Sequence, residues 1–488
     1  MQLRTLGVVG AGPMGAGIAQ IGLTAGLNVV LYDVNGEAAA KAGVEIIARI
    51  AKLEEKEKVA AGSAEAARAR LKVAADLSAF AACELVVEAI IERLDVKQAL
   101  FAQLEAIVTP QATLASNTSS LSIAAIASRC TYKARVGGMH FFNPVPLMKL
   151  VEVVAAPDTS AETVAFITAA CELLGKTPVT VKDAPGFLVN LQGRAYALEG
   201  LAIAQEGVAP PAVIDRILKA GAGFRMGPFE LMDLTGIDVN FAATTAIYEG
   251  YQHDPRLKTT PLHQLMANSG RFGRKSGRGF YDYSQDAPSA PPPAPPPQAV
   301  ALRPRLAEPG AHWDKLSAAT NLVAGDDVTL IAPIGEDCAT TCARLGLDPK
   351  CTVAIDLTGI EQKHLTVMAA IGGSQAAART ADWLRCSGFV VEQIEDSPGF
   401  VLQRVIAMVA NLGCELAQIG VSSPQNIDIA MKLAQNYPRG PLEWADWLGV
   451  AKTHEIMRQL HVITGSDRYR PSLWLRRRAQ LGLPAHAV

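Results

Sequence analysis

The stretch "LGVVGAGPMGAGIAQIGLTAG", residues 6–26, decides the fold of the first half of the chain. A short apolar run that is typical of a buried strand leads into the turn "GAGPMG", residues 10–15, and a helix-forming segment follows it. The next apolar run ends on Asp33. A glycine-rich turn between a strand and a helix, with an acidic residue roughly 20 residues further on, is typical of a dinucleotide-binding unit.

The residue types in this unit favour one cofactor. Glycines allow a tight turn and a close approach of backbone to pyrophosphate, and the helix N-terminus supplies N–H donors. The carboxylate of Asp33 suits the two ribose hydroxyls and would repel a 2′-phosphate, for which Val34 and Asn35 supply no cation. We therefore expect NAD rather than NADP. The predicted cofactor-binding residues here are Gly10, Gly12, Pro13, Met14, Gly15 and Asp33.

The rest of the first half alternates apolar runs with segments rich in Ala, Glu, Lys and Gln. This alternation predicts parallel strands with helical crossovers, and hence a Rossmann-like, doubly wound α/β domain over residues 1–184. The pattern then becomes helical, with helices expected over 186–206 and 211–222, so an all-α domain is expected over 185–284. The predicted strands are 6–10, 28–33, 84–90, 112–116 and 135–141.

A proline-rich run separates this half from the next. Seven prolines fall within residues 288–297, and such a run cannot pair as sheet or continue a helix, so a linker is expected over 285–304. A degenerate Rossmann-like unit over 305–395 and a second all-α domain over 396–488 are expected beyond it. The predicted strands there are 326–333, 351–356 and 388–394.

The two helical segments are copies of one another. A constant offset of 213 in the numbering carries "DAPGF", residues 183–187, onto "DSPGF", residues 396–400, and the register holds without a gap for more than fifty residues. The same offset puts Gln403 where Asn190 stands. After its first predicted strand the second unit has "IAPIGED", residues 331–337, without the glycine pattern and without an acidic residue at the expected distance. We therefore expect one catalytic site per chain.

Four polar residues are candidates for catalysis. His140 ends a predicted strand, at the sheet edge where doubly wound folds bind ligands, although a histidine there is often only a core residue. Glu152 lies in the apolar run "KLVEVV", where a carboxylate is costly without a partner, so we expect it to face the imidazole and fix its tautomer. Ser119 and Asn190 could orient an oxygen at the reacting carbon, or could simply be a turn serine and a helix N-terminal asparagine.

Composition excludes several classes of function. A net charge of −2 gives no general attraction to nucleic acid or to anionic membranes. There is no long apolar run and no charged-then-apolar leader, so we expect no membrane span and a cytoplasmic protein. Cys338, Cys342 and Cys351 cluster only loosely and lack the spacing of a zinc site, so we expect thiols and no metal.

The first half of the chain carries the motifs "GAGPMGAGIAQ", "VVEAIIERLDVKQALF", "LASNTSSLSI", "HFFNPVPLMKLVEVV", "DAPGFLVN", "GFRMGPFELMDLTGID" and "GRKSGRGFYDY". With these motifs the chain resembles the L-3-hydroxyacyl-CoA dehydrogenase family over residues 1–283. The long form with a duplicated second half is similar to the phenylacetate-degradation branch, whose expected substrate is 3-hydroxyadipyl-CoA. A close relative is 3-hydroxybutyryl-CoA dehydrogenase, of fatty acid metabolism.

The resemblance implies a role for each catalytic candidate. His140 would be the general base that takes the proton of the 3-hydroxyl as hydride passes from C3 to NAD. Glu152 would hold His140 and support it electrostatically. Ser119 and Asn190 would donate hydrogen bonds to substrate oxygens and steady developing charge.

The resemblance implies further contacts and leaves alternatives open. Glu92 and Lys97 match family positions that contact the nicotinamide side of the cofactor. Lys41 is the nearest candidate for the CoA phosphates, with an ordinary surface lysine as the alternative. Family members pair through their helical domains, so we expect pairing either within this chain or as a homodimer. The alternative function is an NAD-dependent hydroxyacid dehydrogenase that acts on a non-CoA substrate.

Overall fold

The computed structural model describes residues 3–284 and 300–488. The linker predicted over 285–304 therefore lies mostly outside the described residues. Within them the structure confirms the predicted order of a doubly wound α/β sheet, a helical domain, a second and shorter sheet, and a second helical segment.

The first sheet has eight strands in the order β3-β2-β1-β4-β5-β6-β7-β8 within the described residues. The strands are β1 (Thr5–Val9), β2 (Asn28–Tyr32), β3 (Leu71–Val73), β4 (Leu85–Glu88), β5 (Thr113–Ser116), β6 (Val136–Phe141), β7 (Leu150–Ala155) and β8 (Thr177–Lys182). Neighbours are parallel except β6 and β7, which are antiparallel. The sequence pattern does not reveal β3, β7 and β8, whereas β1, β2, β4, β5 and β6 lie where it predicts them.

Helices cover both faces of this sheet, which explains why its central strands are continuously apolar rather than alternating. These helices are α1 (Pro13–Thr24), α2 (Gly36–Glu55), α3 (Ser63–Arg70), α4 (Leu94–Ile107), α5 (Ile123–Ile126) and α6 (Ala161–Leu173). Strands β4 and β5 are buried along their whole length. The resulting core brings the glycine-rich turn and the carboxyl ends of β4, β5 and β6 to one edge of the sheet.

The first helical domain follows, with one helix at its predicted bounds. Its helices are α7 (Val189–Gln205), α8 (Pro211–Ala222), α9 (Pro228–Thr235), α10 (Ile237–Gly250) and α11 (Pro261–Asn268). Helix α9 begins with a capping box, in which Glu230 accepts a hydrogen bond from the Gly227 N–H at 3.3 Å. The same capping box explains why the "GP-x-E" motif recurs in the second copy, where Glu443 accepts a hydrogen bond from the Gly440 N–H at 2.8 Å.

The second sheet has the order β13-β12-β11-β10-β9 within the described residues. Its strands are β9 (Pro304–Leu306), β10 (Val328–Ile331), β11 (Thr352–Asp356), β12 (His364–Met368) and β13 (Val390–Gln393), with helices α12 (Asp314–Thr320), α13 (Cys338–Leu345) and α14 (Ser374–Cys386). Only β11 and β12 are antiparallel neighbours, as β6 and β7 are in the first sheet. The bounds of α14 also follow from those of α6 by the same offset that relates the helical segments.

This topology corrects the sequence comparison of the two units. The antiparallel pair marks the second sheet as the counterpart of β4 to β8. The segment "IAPIGED" after β10 therefore corresponds to the "SNTSSLS" segment after β5 and not to the glycine-rich turn. The strands that would carry a nucleotide turn, β1 and β2, have no counterpart among the described residues of the second sheet. The comparison of the two sequences looks for the glycine pattern in the loop after β10, which is the wrong loop. Strand order, which would show this, is not visible in a single sequence.

The second helical segment is divided between two compact units. Its helices are α15 (Leu402–Gln418), α16 (Pro424–Gln435), α17 (Pro441–Leu448), α18 (Val450–Thr464) and α19 (Leu473–Leu481). One unit is Met1–Val189 with Gly420–Gln435, and the other is Asn190–Ile419 with Asn436–Val488. Helix α16 therefore packs with the first α/β domain, against β7 and β8.

The two copies make this exchange reciprocally. In the first unit the Lys182 N–H donates to the Val421 carbonyl at 2.9 Å, and in the second unit the Glu395 N–H donates to the Val208 carbonyl at 2.9 Å. Both pairs obey the same offset, since 182 + 213 = 395 and 208 + 213 = 421. Helix α8 packs on β12 in the second unit as α16 packs on β7 and β8 in the first. Each copy thus lends one helix to the sheet of the other.

A buried ionic cluster joins the two helical segments inside the second unit. Arg404, from α15, donates to Glu199 on α7 at 2.6 Å and to Glu206, just after α7, at 2.7 Å. Arg468 donates to Glu199 at 2.9 Å, as does the hydroxyl of Tyr469. Arg404 and Glu199 are fully buried.

In the part of the chain that is described, no helix is long and apolar enough to cross a membrane.

Candidate active site

The glycine-rich turn leaves space where a pyrophosphate would lie. Gly10 has a φ of +105°, and a Cβ there would lie 2.4 Å from the Ala89 carbonyl oxygen. A Cβ on Gly15 would lie 1.8 Å from the Gly10 oxygen, so α1 can pack this closely on the turn only with glycine. Around Gly12, by contrast, no described residue would come within 4 Å of an added Cβ. The turn is tight on two sides and open at its middle glycine.

Asp33 is tied to this turn. Its Oδ2 accepts from the Ala11 N–H at 2.8 Å and its Oδ1 accepts from the Asn35 N–H at 2.9 Å. Pro13 and Met14 form the first turn of α1, which contains no acidic residue to oppose an anion at the helix N-terminus. An open glycine, an uncompensated helix N-terminus and a fixed carboxylate together fit a dinucleotide of the NAD type.

His140 and Glu152 lie directly opposite each other on β6 and β7. The imidazole Nδ1 donates to Glu152 Oε2 at 2.6 Å, as expected from the sequence. The carboxylate has no exposed surface, and its Oε1 accepts from the N–H groups of Leu188 at 3.0 Å and Val189 at 2.9 Å. Three donors satisfy the buried carboxylate, which makes its burial tolerable. With the proton held on Nδ1, Nε2 is the nitrogen that can accept a proton.

The turn "DAPGF" holds the other side of the imidazole. The rings of Phe142 and Phe187 lie 4.6 Å and 5.7 Å from the ring of His140, centre to centre. Phe187 has a φ of +50°, in the left-handed region that costs a non-glycine residue about 1–2 kcal/mol. The Asp183 carboxylate opposes this cost by accepting from the Ala124 N–H at 2.8 Å, at the N-terminus of α5. The His140 ring is therefore held between two aromatic rings and the Glu152 carboxylate.

A second buried network lies at the ends of β4 and β5. The ammonium of Lys97, only 1% exposed, lies 2.5 Å from Glu88 and 3.1 Å from Glu92. Glu88 is fully buried and also accepts from the Ser116 hydroxyl at 2.6 Å. Glu88 and Ser116 are absent from the residues predicted from the sequence. A signal for Glu88 exists, because it stands in an apolar run just as Glu152 does.

Glu92 connects this network to the loop that carries Ser119. Its Oε1 accepts from the Thr118 hydroxyl at 2.6 Å, the Ser119 N–H at 3.1 Å and the Ser120 hydroxyl at 3.0 Å. Burial by itself raises the pKa of Glu92, but the Thr118 hydroxyl and the Lys97 ammonium outweigh it and lower that pKa. Glu92 therefore stays ionised and fixes the backbone of the Ser119 loop.

Asn190 follows Val189 on the first turn of α7 and begins the second compact unit. Its side chain is half-buried, and its carbonyl accepts from Arg194 Nε at 3.0 Å. Among the predicted residues of the first unit, the structure brings together His140 with Glu152, Asp33 with the glycine-rich turn, and Glu92 with Lys97 and Ser119.

A groove of about 730 Å³ runs beside the glycine-rich turn. Helix α1, helix α2 and the loop 143–147 form its walls, and Arg49, Lys52 and Lys58 line it. The described residues that line it include neither Asp33 nor Lys41. The groove thus reaches from the glycine-rich turn to the basic side chains on α2 and just after it. Its three cations are not among the predicted residues, because nothing in the sequence of α2 and of the segment after it says which basic residues face a cavity.

Two cysteines of the second α/β unit lie close together as thiols. The Sγ atoms of Cys338 and Cys342 lie 4.0 Å apart in the core, while Cys351 is exposed. Within 3–284 and 300–488 no group of three or more His, Cys, Asp or Glu residues is arranged to hold a metal ion.

Comparisons with known proteins agree on one family. The NAD-binding domain of 3-hydroxyacyl-CoA dehydrogenase matches residues 5–184, and the C-terminal domain of the same family matches both 186–283 and 399–486. The 3-hydroxyadipyl-CoA dehydrogenase of Escherichia coli K12 is 40% identical over 485 residues, which cover 99% of this chain and 98% of the relative. A probable 3-hydroxybutyryl-CoA dehydrogenase of Deinococcus radiodurans is 43% identical over 277 residues, covering 57% of this chain and 99% of that one.

A solved structure matches the whole architecture. The crystal structure of 3-hydroxybutyryl-CoA dehydrogenase from Escherichia coli K12 has a TM-score of 0.88 at 39% identity and covers 99% of both chains. The (S)-3-hydroxybutyryl-CoA dehydrogenase from Ralstonia eutropha has a TM-score of 0.56 at 39% identity, with 58% of this chain and all of that chain covered. The long form with two helical segments is thus found in a solved relative, and the short form matches the first half.

Proposed function

Since the chain belongs to the 3-hydroxyacyl-CoA dehydrogenase family and is an NAD-binding oxidoreductase, we propose that its substrate is 3-hydroxyadipyl-CoA, oxidised to the 3-oxo thioester. The relative of that name, similar over the full length, supports this acyl group. A role in phenylacetate catabolism is part of the same proposal and rests on the resemblance of the long form to that branch. The solved relative named for 3-hydroxybutyryl-CoA supports the shorter acyl group as the second candidate. The observation that carries the chemistry is the buried His140–Glu152 pair at the sheet edge of the dinucleotide turn.

The mechanism follows from the tautomer of His140. Its Nε2 accepts the proton of the 3-hydroxyl, while Glu152 holds Nδ1–H and stabilises the imidazolium that forms. The glycine-rich turn and Asp33 would hold NAD, which would supply the acceptor for the hydride from C3. A positioned base of this kind contributes roughly 10²–10⁴-fold to the rate.

Four further residues take positioning roles in this proposal. Ser119 and Asn190 donate hydrogen bonds to the substrate oxygens. Glu92, 37% exposed, reaches the nicotinamide side of the cofactor. Lys97 is buried behind it, and we propose that it acts through Glu92 rather than by direct contact. Glu92 and Lys97 are given different roles because the Glu92 side chain is partly exposed whereas that of Lys97 is buried.

We propose that the CoA part of the substrate lies in the groove beside α1 and α2, with Arg49, Lys52 and Lys58 near its phosphates. Cations lining a groove raise the local concentration of an anion and pair with it. Glu45 pairs with Arg49 at 3.0 Å, so Lys52 and Lys58 are the stronger candidates.

Charge reversal in the groove tests this position for CoA. Lys52→Glu and Lys58→Glu should each raise KM for the acyl-CoA about 10- to 100-fold, since one charged contact is worth about 1.5–3 kcal/mol. KM for NAD should stay unchanged. Lys41→Glu is the matched control, because Lys41 lies on the same helix as Lys52 but outside the groove. An equal effect of Lys41→Glu, or none from the other two, would contradict the position.

Steady-state kinetics with three kinds of thioester test the function itself. NAD reduction should be fastest, in kcat/KM, with 3-hydroxyadipyl-CoA, compared with 3-hydroxybutyryl-CoA and longer acyl-CoA esters. A higher kcat/KM for 3-hydroxybutyryl-CoA would identify the second candidate as the substrate. Absence of turnover with every CoA ester would overturn the function.

We propose that the second half replaces a partner subunit, with the two helical segments paired within one chain. The buried Arg404–Glu199 contact and the reciprocal exchange of α8 and α16 support this.

The division into 1–184, 185–284, 285–304, 305–395 and 396–488 remains our proposal for the domains.

A further inference from the structure

One loop borders both the groove and the catalytic pair. It joins β6, which carries His140, to β7, which carries Glu152, and its residues 143–147 line the groove. Val145 in this loop is buried against α1, where a Cβ added to Gly17 would lie 2.7 Å from the Val145 Cβ. A displacement of this loop would therefore change the shape of the groove.

Lys176 holds this loop from the turn that precedes β8, the strand beside β7. Its ammonium donates to the carbonyl oxygens of Val145 at 2.6 Å and Met148 at 2.8 Å, and the residue is only 8% exposed. Burial lowers the pKa of Lys176. Hydrogen bonds from a charged donor are roughly twice as strong as neutral ones, so these two bonds hold the loop backbone firmly. An apolar side chain of the same length would fill the space and hold neither carbonyl.

The duplicate indicates that the fold alone does not need this lysine. Gly175 and its counterpart Gly388 both have positive φ, +70° and +87°, so the turn before the strand is kept. The offset of 213 puts Phe389, which is buried, where Lys176 stands. The loop before β12, residues 357–363, lacks the "NPVPLM" sequence. The lysine is thus present in the copy that has the groove loop and absent from the copy that lacks it.

We propose that Lys176 is a positioning residue for acyl-CoA binding, because its ammonium holds the loop that forms one wall of the groove. This inference rests on the proposed function of the groove as the CoA site. Lys176 acts through the loop backbone and does not touch the reacting atoms.

The test compares Lys176→Met with the wild type in the full chain. We expect KM for 3-hydroxyadipyl-CoA, and the Kd of free coenzyme A by calorimetry, to rise about 10-fold, because a small displacement of a positioning element is costly. KM for NAD should be unchanged and kcat should fall less than about 3-fold. Lys176→Gln, which keeps a donor for one carbonyl, should have a smaller effect and serves if Lys176→Met does not fold. Lys149→Met is the control, since Lys149 is an exposed neighbour of Met148.

The outcomes separate this inference from the function on which it rests. A variant with lowered Tm but unchanged KM and coenzyme A affinity would make Lys176 merely structural and overturn the inference. A fall in kcat with a shifted pH profile and unchanged KM would mean that Lys176 acts on the catalytic pair, which also overturns it. If wild-type protein neither binds coenzyme A nor oxidises an acyl-CoA, the proposed function fails, whatever the variants do.

Discussion

The two copies differ most where the first has its candidate active site. In the second copy Gln403 occupies the position of Asn190 and is almost fully buried. Its Oε1 accepts from the Gly335 N–H at 3.1 Å, and its Nε2 donates to the Pro333 carbonyl at 3.2 Å and to Asp356 at 3.0 Å. The amide thus makes its hydrogen bonds within the protein itself. A side chain that would hold substrate in one copy holds the loops of the other copy together.

The copies agree where the backbone is constrained. Phe187 and Phe400 both have left-handed φ, +50° and +53°. Asp183 accepts from the first turn of α5, and Asp396 accepts from the Cys338 N–H at 2.7 Å, in the first turn of α13. These contacts build the turn that leads into each helical segment. The duplicated fold thus keeps what its backbone requires.

The second copy lacks both Glu152 and its imidazole partner. The offset puts Leu365, fully buried, at the position of Glu152. The antiparallel pairing that aligns Asp356 with Thr366 places Leu357 opposite Leu365, so the residue across from it is not a histidine. A buried carboxylate without donors costs several kcal/mol, so the second copy gains by replacing it with a hydrocarbon. The comparison teaches that Glu152 is present for His140 and not for the sheet.

The largest expected effect is on His140. His140→Gln should lower kcat by roughly 10²–10⁴-fold, because the amide cannot accept the proton of the 3-hydroxyl. NAD binding, measured by titration, should be nearly intact, since the glycine-rich turn and Asp33 are untouched. A variant with near-full kcat would remove His140 as the base and would make the two copies equal in this respect.

The next effect concerns what joins the two copies. Glu199→Gln should lower the free energy of unfolding by about 3–5 kcal/mol, because it leaves two buried guanidinium groups short of an anion. Urea titration followed by fluorescence measures the change. Glu455→Gln, which removes an exposed ion pair with Arg458, is the control and should cost at most about 1 kcal/mol. A loss in Glu199→Gln as small as in the control would show that the cluster does not hold the copies together.

The same cluster predicts a dependence on pH. Burial by itself raises the pKa of Glu199, but Arg468 and Arg404 outweigh it and lower that pKa. The stability that Glu199 contributes is therefore fully present above about pH 4.3, the value for an unfolded chain, and is lost as pH falls through the lower folded value. The difference in stability between wild type and Glu199→Gln should shrink below about pH 4.3. A difference that stays constant down to about pH 3 would contradict the lowered pKa.

The smallest expected effect is on Gln403. Gln403→Leu should cost about 1–3 kcal/mol of stability, because it leaves the Gly335 N–H without its acceptor in the core. Activity at a temperature where the variant is folded should be unchanged. Together with His140→Gln this isolates chemistry in one copy and packing in the other. A tenfold fall in kcat for Gln403→Leu would mean that the second copy takes part in catalysis.

The sequence predicted those parts of the site that are local or that follow from burial. The glycine-rich turn and Asp33 lie within one strand–helix–strand segment, so their spacing was sufficient. The contact of Glu152 with His140 was predicted because a carboxylate in an apolar run needs a partner. The same rule applied to Glu88 would have predicted a second buried pair, but only the structure names Lys97 as its partner. The catalytic roles of Ser119 and Asn190 remain predictions.

By itself the sequence determined the dinucleotide unit, the family, the duplication and the single candidate base, because each is written in spacing along the chain or in a fixed numbering offset between the copies. Only the tertiary structure decided which strands of the first sheet were duplicated, which cations line the groove, and that Lys176 reaches the loop 143–147. These depend on strand order and on contacts between segments far apart in sequence. Periodicity reports which face of an element is buried, but not what that face is buried against.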